Sequence, residues 1–240
     1  WFDSGTSYSV LNNRDEAFPA DVYLEGSDQY RGWFNSSLST SVAAFGKAPY
    51  KTVVSHGFVL DGQGRKMSKS LGNTVDPLKV MNVLGADILR LWVATSDYQS
   101  DLRISDDNLK QISEGYRKIR NTIRYMLGVI SDFDVTSHYV SFSMRGNMNR
   151  AMTLRMDDII NDVIDSYDTY EFDKVYRVIM PFIINDLSAF YLDFTKDILY
   201  LENKNDFERR AIQSTLYDIL YTLLILMTPL MPHTASEAYQ

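Results

Sequence analysis

The sequence predicts an α/β domain in residues 1–103 and an all-α domain in residues 104–240. Two β-rich segments separated by a helical pattern predict a strand–helix–strand unit, and such units favour a parallel sheet. From about residue 105, apolar residues recur at helical spacing in long segments with short polar connections, which predicts a bundle of antiparallel helices. The polar connection at 96–103 is the predicted domain boundary.

The elements of the first domain follow one another in the order strand, helix, strand. Residues 20–25 form a short strand with an apolar centre, which Gly26 closes, and Ser27 occupies the position of a helix N-cap. The helix follows, and residues 50–60, rich in β-branched and aromatic types, predict the second strand. Because ligands bind at the C-terminal ends of parallel strands, residues 25–28 and the segment after the second strand are expected at one ligand-binding edge.

The rest of the chain is predicted to be helical. Asp76 caps the first of these helices, Asp206 caps a later one, and Pro181 is predicted to kink or end its helix. Thr234 and Glu237 have the spacing of a capping box that opens the last helix. Helices are predicted at 76–84, 86–95, 105–131, 148–167, 171–187, 188–200 and 206–227, and from 234 onward.

Composition restricts the chemistry that the chain can carry. It has 240 residues, 45% of them apolar, and no cysteine, so disulfides and thiolate metal sites are excluded from it. The three histidines are scattered, and no metal site is predicted. No uninterrupted apolar run reaches the roughly 18–20 residues of a membrane span, and no membrane partner is expected.

The net charge of −7 argues against wholesale, nonspecific binding of nucleic acid. A local basic face is still compatible with this charge. Arg117, Lys118, Arg120 and Arg124 fall within about two turns of one predicted helix. A solvated helix surface explains these four residues equally well from the sequence alone.

Residues 66–70, Lys-Met-Ser-Lys-Ser, are the most informative segment of the chain. Lysine carries a point charge on a flexible stem, which suits a polyphosphate, and Gly62, Gly64 and Gly72 make the surrounding segment pliable. The segment does not contain the Gly-x-x-x-x-Gly-Lys-Ser/Thr phosphate loop. On charge alone, a solvated basic turn is the simpler interpretation.

Longer segments around this motif resemble a known family. Residues 56–73, His-Gly-Phe-Val-Leu-Asp-Gly-Gln-Gly-Arg-Lys-Met-Ser-Lys-Ser-Leu-Gly-Asn, resemble the second signature, KMSKS, of class I aminoacyl-tRNA synthetases. Residues 24–34, Leu-Glu-Gly-Ser-Asp-Gln-Tyr-Arg-Gly-Trp-Phe, and residues 1–5, Trp-Phe-Asp-Ser-Gly, resemble the isoleucyl branch of that family. Three segments resemble its anticodon-binding region: 120–122, 187–193 and 228–233.

This resemblance implies the second half of a Rossmann-type parallel sheet that carries the KMSKS loop, followed by an antiparallel helix bundle. It also implies that isoleucine attacks the α-phosphate of ATP and that the acyl group then moves to the cognate tRNA. Lys69, assisted by Lys66, would neutralise charge on the departing pyrophosphate. ATP or adenylate contacts are implied for Glu25, Gly26, Asp28, Gln29, His56, Met67, Ser68 and Ser70, and walls of the isoleucine pocket for Trp1 and Trp33.

Several of these roles have a structural alternative. Asp28 has the position of an ordinary acid in the first turn of a helix, and Trp33 lies on the apolar face of its predicted helix. Ser68 and Ser70 serve equally well to stabilise the loop. His56, on a strand just before the loop, is expected to hydrogen-bond locally or to line the ATP pocket rather than to act as a general base.

The family's first signature, His-x-Gly-His, does not occur in the 240 residues. We therefore expect an internal segment of a longer enzyme that is inactive by itself, with ATP and Mg²⁺, isoleucine and isoleucine tRNA as the partners of the whole protein. A cytoplasmic monomer is expected, and any zinc would bind in a C-terminal region outside this segment. The alternatives are a tRNA-binding module without catalysis and a valyl- or leucyl-specific relative.

Overall fold

The computed structural model describes residues 1–12 and 18–240, which form two compact units. The first, here called the sheet unit, comprises Trp1–Thr74 and Asp97–Ile104, and the second, the helical unit, comprises Val75–Ser96 and Ser105–Gln240. The two units therefore alternate along the chain, whereas the sequence predicted one boundary between two continuous domains. The two helices after the KMSKS loop pack with the helical unit.

Helices account for most of the described residues. The strands are β1 (Ala20–Gly26), β2 (Tyr50–His56), β3 (Val59–Leu60) and β4 (Leu102–Arg103). Short 3-10 helices lie at Ser27–Arg31, Lys69–Leu71 and Phe142–Met144, and a π-helix lies at Phe182–Leu192. The α-helices are α1 (Phe2–Gly5), α2 (Ser9–Asn12), α3 (Trp33–Phe45), α4 (Pro77–Leu84), α5 (Ala86–Ala94), α6 (Asp106–Val129), α7 (Val135–His138), α8 (Asn147–Asp168), α9 (Phe172–Pro181), α10 (Asp193–Leu201), α11 (Phe207–Met227) and α12 (Pro232–Tyr239).

In the sheet unit, β1 and β2 pair in parallel, with Glu25 opposite Ser55 and Gly26 opposite His56. The predicted strand–helix–strand order and parallel pairing are confirmed. Both strands end at the same edge, because parallel strands share their direction. Helix α3 connects them and is tied to α1 by a hydrogen bond from Ser37 Oγ to the Gly5 carbonyl, 2.9 Å long.

The second strand ends earlier than predicted. β2 stops at His56, and the next two backbone amides donate hydrogen bonds to the segment 97–104, which returns to the sheet unit. Gly57 N donates to the Tyr98 carbonyl at 2.9 Å, and Phe58 N donates to Asp101 Oδ1 at 2.7 Å. A Cβ on Gly57 would lie 2.3 Å from the Ser100 carbonyl oxygen, so only glycine allows this close approach.

The prediction that Ser27 caps the connecting helix is wrong. Ser27 opens a 3-10 turn whose N-cap is Gly26, and α3 begins only at Trp33. The Gln29 side chain supplies an acceptor at the start of α3, because its Oε1 accepts a hydrogen bond from Trp33 N at 2.9 Å. The sequence spacing favours Ser27 as the cap, but in the 3-10 turn it is the Gln29 side chain that accepts the hydrogen bond at the start of α3.

The helical unit is built around one apolar core, to which most of its helices contribute. The predicted caps Asp76 and Asp206 are confirmed, since each carboxylate accepts a hydrogen bond from a first-turn amide of its own helix. The predicted capping box at Thr234 is wrong, because α12 begins at Pro232. Asp87 of α5 caps α12 instead: Asp87 Oδ2 accepts hydrogen bonds from Thr234 N at 2.7 Å and Thr234 Oγ1 at 2.6 Å.

As predicted, Pro181 ends its α-helix, and the chain continues through the π-helix into α10. Proline has no N–H to donate to the preceding turn, which explains the change of helix type. The whole stretch Phe172–Leu201 is long and apolar enough to cross a membrane by length and composition alone. Within this stretch, Phe182, Ile183 and Tyr191 are almost completely inaccessible to solvent and belong to the apolar core of the unit.

Candidate functional site

The C-terminal ends of β1 and β2 bring together several residues that the sequence analysis proposed for nucleotide binding. Glu25 is exposed at the end of β1, and Gly26 is buried beside it. A Cβ on Gly26 would lie 2.7 Å from Asp28 Oδ1 and 3.8 Å from His56 Cε1. The missing side chain therefore leaves the backbone at Gly26 close to both polar groups. These four residues share one edge of the sheet.

Asp28 and Gln29 form a coupled pair on the 3-10 turn that follows β1. Gln29 Nε2 donates a hydrogen bond to Asp28 Oδ2 at 3.2 Å, while Gln29 Oε1 accepts one from Trp33 N. The amide of Gln29 is thus oriented at both ends, and it leaves Asp28 Oδ1 facing Gly26. His56 Nδ1 lies 2.8 Å from the Gly57 carbonyl oxygen, a geometry in which Nδ1–H donates.

The two tryptophans proposed for the amino-acid pocket have different surroundings. Trp33 stacks face to face on Tyr23, with ring centroids 4.2 Å apart, and its Nε1 donates to the Ser4 carbonyl at 2.9 Å. Trp33 is therefore part of the packing between α3, β1 and the N-terminal segment. Trp1 is 77% exposed, with one edge of its ring close to Gly32. The pocket role of both residues stays a prediction.

A buried carboxylate organises the base of the KMSKS loop (residues 66–70). Leu60 forms a β-bridge with Lys66, which closes the hairpin around Asp61. Asp61 Oδ1 accepts a hydrogen bond from Arg65 N at 2.8 Å, and Oδ2 accepts from Arg65 Nε and from Asn73 Nδ2, both at 2.9 Å. Hydrogen bonds from Asn73 and Arg65 hold the pKa of the Asp61 carboxyl well below its usual range.

Asn73 closes the loop from its C-terminal side. Its Nδ2 donates to Asp61 Oδ2 and to the Lys66 carbonyl at 3.3 Å, and its Oδ1 accepts from Ser68 N at 2.9 Å. One amide side chain thus joins both ends of the loop to its base. No role for Asp61 or Asn73 follows from the sequence motifs. The available signal was the Asp-Gly-x-Gly turn at 61–64, in which Gly64 has φ +78°.

The loop hydroxyls support the turn itself. Ser68 Oγ lies 3.1 Å from Ser70 Oγ and accepts a hydrogen bond from Leu71 N at 3.3 Å. These bonds cap the 3-10 turn Lys69–Leu71, which matches the loop-stabilising alternative for both serines. Met67 is half-buried.

The two lysines of the loop are exposed, and neither forms an ion pair within the ranges 1–12 and 18–240. Lys66 Nζ lies 5.9 Å from the centroid of the Phe58 ring, within the range of a cation–π contact. Lys69 opens the 3-10 turn, directly after the N-cap residue Ser68. Hydrogen bonds thus hold the backbone of the loop, and its two ammonium groups are presented to solvent.

We expect Asn73→Ala to loosen the loop without unfolding the sheet unit. The substitution removes three hydrogen bonds, each contributing roughly 1 kcal/mol, and leaves Ser68 N without its acceptor. Limited digestion with trypsin, which cleaves after Arg65, Lys66 and Lys69, should cut the loop on the order of 100-fold faster, because local opening becomes more frequent.

Thr74→Ala is the matched control for this experiment, since Thr74 is the exposed neighbour of Asn73. Its loop should be cut at the rate of the unmodified chain. Equal cleavage of the Asn73→Ala and unmodified chains would contradict the proposed clamp.

No group of three or more His, Cys, Asp or Glu side chains is placed to hold a metal ion among the residues described in the structure. Apart from its own backbone groups, the edge formed by Glu25, Gly26, Asp28 and His56 offers carboxylates and an imidazole. These groups suit an ammonium or a hydroxyl-bearing ligand, because carboxylates accept hydrogen bonds from both.

Comparison with family models matches both parts of the chain. Residues 1–105 match the model for class I tRNA synthetases (I, L, M and V), and residues 149–240 match the anticodon-binding domain of tRNA ligase. The first match thus covers the β1–β2 edge and the KMSKS loop.

Curated relatives match over the full chain. Isoleucine–tRNA ligase from Acholeplasma laidlawii (strain PG-8A) is 64% identical over 239 residues, which are 100% of this chain and 27% of that protein. Isoleucine–tRNA ligase from Onion yellows phytoplasma (strain OY-M) is 57% identical, with the same coverage. The chain therefore spans about a quarter of the length of these relatives.

Solved structures share the fold at low sequence identity. The ternary complex of Agrobacterium radiobacter K84 agnB2 LeuRS with tRNA and LeuAMS has a TM-score of 0.77 and 19% identity, covering 99% of this chain and 30% of that one. Mycobacterium tuberculosis methionyl-tRNA synthetase in complex with methionyl-adenylate has a TM-score of 0.74 and 20% identity, covering 98% and 47%.

Proposed function

Because the chain belongs to the class I tRNA synthetases, we propose that it is a segment of an isoleucine–tRNA ligase. One observation carries the choice of amino acid: the match to isoleucine–tRNA ligase at 64% identity over the full chain. The proposed protein activates isoleucine with ATP to isoleucyl-adenylate and transfers it to isoleucine tRNA. We further propose that it works as a cytoplasmic monomer.

The β1–β2 edge is the proposed adenylate site. Glu25, at the open end of β1, would accept hydrogen bonds from the ammonium group of isoleucine. Gly26 would let the nucleotide approach the backbone, which its buried position and absent side chain support. Asp28, oriented by Gln29, would bind the ribose hydroxyls. His56 would line the same pocket.

The KMSKS loop is the proposed site of pyrophosphate binding. Lys69 would neutralise charge as it builds on the departing pyrophosphate, and Lys66 would assist. Support comes from the contrast between the backbone of the loop and its two lysine side chains. The backbone is held by Asp61 and Asn73, whereas the ammonium groups are exposed and available to a ligand. Mg²⁺ would arrive with the phosphates of ATP, as part of the substrate.

The isoleucine side chain is proposed to pack against Trp1 and Trp33. Exposure of Trp1 supports a role as a wall that a ligand can cover, since an apolar side chain gains free energy by covering it. Trp33 would contribute the part of its ring that Tyr23 leaves open. The helical unit would hold the tRNA, in line with the match of residues 149–240 to an anticodon-binding domain.

We expect the 240-residue chain to lack ATP–pyrophosphate exchange activity. The His-x-Gly-His signature is absent from its sequence, so half of the groups that stabilise the transferring phosphate are missing. A longer protein that includes the segment with this signature should catalyse isoleucine-dependent exchange. The experiment compares both proteins with isoleucine, valine and leucine.

The outcomes separate the alternatives. Isoleucine-dependent exchange by the 240-residue chain would contradict its proposed inactivity. Exchange by the longer protein with valine or leucine in preference to isoleucine would contradict the proposed specificity and identify a valyl- or leucyl-specific enzyme. No exchange with any amino acid, together with tRNA binding, would leave a tRNA-binding module without catalysis.

A further inference from the structure

The segment 97–104 packs against the hairpin that leads into the KMSKS loop. It lies between α5 and α6 in the chain, yet it belongs to the sheet unit. Strand β4 of this segment pairs in parallel with β3 of the hairpin, with Arg103 opposite Leu60. The segment therefore adds a strand on one side of β3, while Lys66 bridges Leu60 on the other side.

Arg103 and Lys66 thus flank the same residue. Residues that lie opposite one another on neighbouring strands direct their side chains to the same face of a sheet. Neighbouring strands are about 4.8 Å apart, so the Cα atoms of Arg103 and Lys66 lie about 10 Å apart across Leu60. Because both residues are joined to Leu60, a shift of β3 relative to β4 also moves Lys66.

The guanidinium group of Arg103 covers Gly64 in the turn of the hairpin. A Cβ on Gly64 would lie 3.0 Å from Arg103 Nη2 and 3.1 Å from both Cζ and Nε. Three atoms of a planar group at nearly equal distances show that its flat side faces the glycine. Gly64 also has φ +78°, so its backbone conformation and its contact both favour glycine.

Arg103 is exposed, and its side chain forms no ion pair or hydrogen bond within residues 1–12 and 18–240. Arg65 of the same hairpin differs, because its Nη2 lies 2.9 Å from Asp61 Oδ2. Strand pairing and packing on Gly64 are therefore the contacts that hold Arg103. A long arginine side chain can stabilise a structure through such packing, without a charged partner.

Two kinds of contact thus act on the KMSKS loop. Asp61 and Asn73 join the loop to its own base, and these bonds hold its shape. The segment 97–104 joins the hairpin to the rest of the sheet unit, and these contacts hold its place. A group that stabilises a transition state needs both, because a small misplacement lowers the rate sharply.

We propose that Arg103 is a positioning residue for the KMSKS loop. By covering Gly64, it holds the hairpin against β4 and thereby holds Lys66 and Lys69 in place. The planar shape of the guanidinium group, rather than its charge, performs this role. The kinetic part of this inference rests on the proposed function, which assigns the two lysines to pyrophosphate, whereas the packing part is independent of it.

The packing is tested on the 240-residue chain by limited digestion with trypsin, with cuts at residues 65–69 followed by mass spectrometry. Arg103→Ala should accelerate these cuts about fivefold, because the hairpin opens more often without its cover. Gly64→Ala should accelerate them as well, since its Cβ meets the guanidinium group. In a chain that also carries Arg103→Ala, the effect of Gly64→Ala should be smaller, because that contact is gone.

Gly46→Ala is the matched control for the glycine substitution. Gly46 has φ +67°, close to that of Gly64, but no atom lies within 4 Å of a Cβ built there. Its substitution therefore carries the same backbone cost without a contact, and the cuts at residues 65–69 should keep their rate.

The kinetic role is tested in the full-length protein by isoleucine-dependent ATP–pyrophosphate exchange. Arg103→Ala should lower kcat about tenfold and leave the KM for ATP unchanged within about twofold, because the lysines meet the transition-state charge less well. Arg103→Lys keeps the charge but loses the planar group, so it should resemble Arg103→Ala. Lys51→Ala, which removes an exposed cation paired with Asp21, is the control and should leave kcat unchanged.

Four outcomes would overturn the proposal. In the digestion, they are an unchanged rate in the Arg103→Ala chain and an equal effect of Gly64→Ala with and without Arg103. In the kinetics, a raised KM for ATP at unchanged kcat, or full activity of Arg103→Lys, would identify a cation that binds the nucleotide directly. Circular dichroism of each variant checks that the fold is kept.

The digestion contains neither ATP nor isoleucine, so its result does not depend on the proposed function. Faster cutting of the Arg103→Ala chain, together with a full-length protein that activates no amino acid, would retain the packing role and refute the ligase. Isoleucine activation that Arg103→Ala leaves unchanged would retain the ligase and refute the positioning role.

Discussion

Replacing Lys69 by alanine in the full-length protein should lower the rate of isoleucine-dependent ATP–pyrophosphate exchange by about 10²- to 10³-fold. Lys69 is exposed at the start of a capped 3-10 turn and has no ion-pair partner among the described residues. Its ammonium group would meet negative charge that is larger in the transition state than in bound ATP. The loss should therefore fall mainly on kcat rather than on the KM for ATP.

Lys66→Ala should have a smaller effect than Lys69→Ala, because Lys66 Nζ already lies over the Phe58 ring and its backbone is held in the hairpin bridge. Lys51→Ala is the control, since that lysine is exposed on β2 and paired with Asp21. A Lys69→Ala enzyme with an unchanged kcat and a raised KM would show that the loop only binds ATP. Equal effects of Lys51→Ala and Lys69→Ala would point to a general loss of positive charge.

Asp132→Ala should destabilise the helical unit by about 2–3 kcal/mol, somewhat less than the cost of breaking a fully buried ion pair, because the Asp132 side chain is 27% exposed. Arg209 Nη1 and Nη2 donate to its two carboxylate oxygens at 2.9 and 3.0 Å, and Gln213 Nε2 donates at 2.7 Å. Removing the carboxylate would deprive the nearly buried guanidinium groups of Arg209 and Arg210 of their acidic partner. Urea unfolding at neutral pH, followed by circular dichroism, measures the change.

The same carboxylate gives this stabilisation a pH dependence. Hydrogen bonds from Arg209 lower the pKa of Asp132 to about 2 in the folded protein, below the value of roughly 4 in an unfolded chain. The stabilisation is therefore complete above about pH 4 and is lost as the pH falls towards 2. Asp132→Asn should flatten this part of the stability profile.

Asp157→Ala is the matched control, because Asp157 is an exposed acid on α8. Its stability should change by no more than about 0.5 kcal/mol. A similar loss in both variants, or an Asp132→Asn protein that keeps the full acid dependence between about pH 4 and 2, would contradict the role of the Asp132 network.

The sequence predicted those elements whose causes are local. The parallel strands, the long helices, the caps Asp76 and Asp206 and the end of a helix at Pro181 each follow from periodicity or from one residue's backbone chemistry. The proposed nucleotide residues around Gly26 also meet at one edge as expected, since strand direction alone brings strand ends together.

Two predictions failed because a distant group competed for the same backbone atoms, whereas the Ser27 cap failed for a local reason, the 3-10 turn that brings Gln29 to the start of α3. Thr234 was predicted to cap its own helix, but Asp87, 147 residues away along the chain, takes its amide and hydroxyl. The second strand was predicted to continue to residue 60, but Asp101 binds the amide of Phe58 from 43 residues away. Neither competitor has a signature in the local pattern.

The sequence by itself therefore determined the class of most elements and their order along the chain. Only the tertiary structure decided which side chains hold the KMSKS loop, through Asp61 and Asn73, and which side chain covers Gly64. The physical reason is that a hydrogen bond or an ion pair depends on distance in space. Helical and strand periodicity, by contrast, depend on distance along the chain.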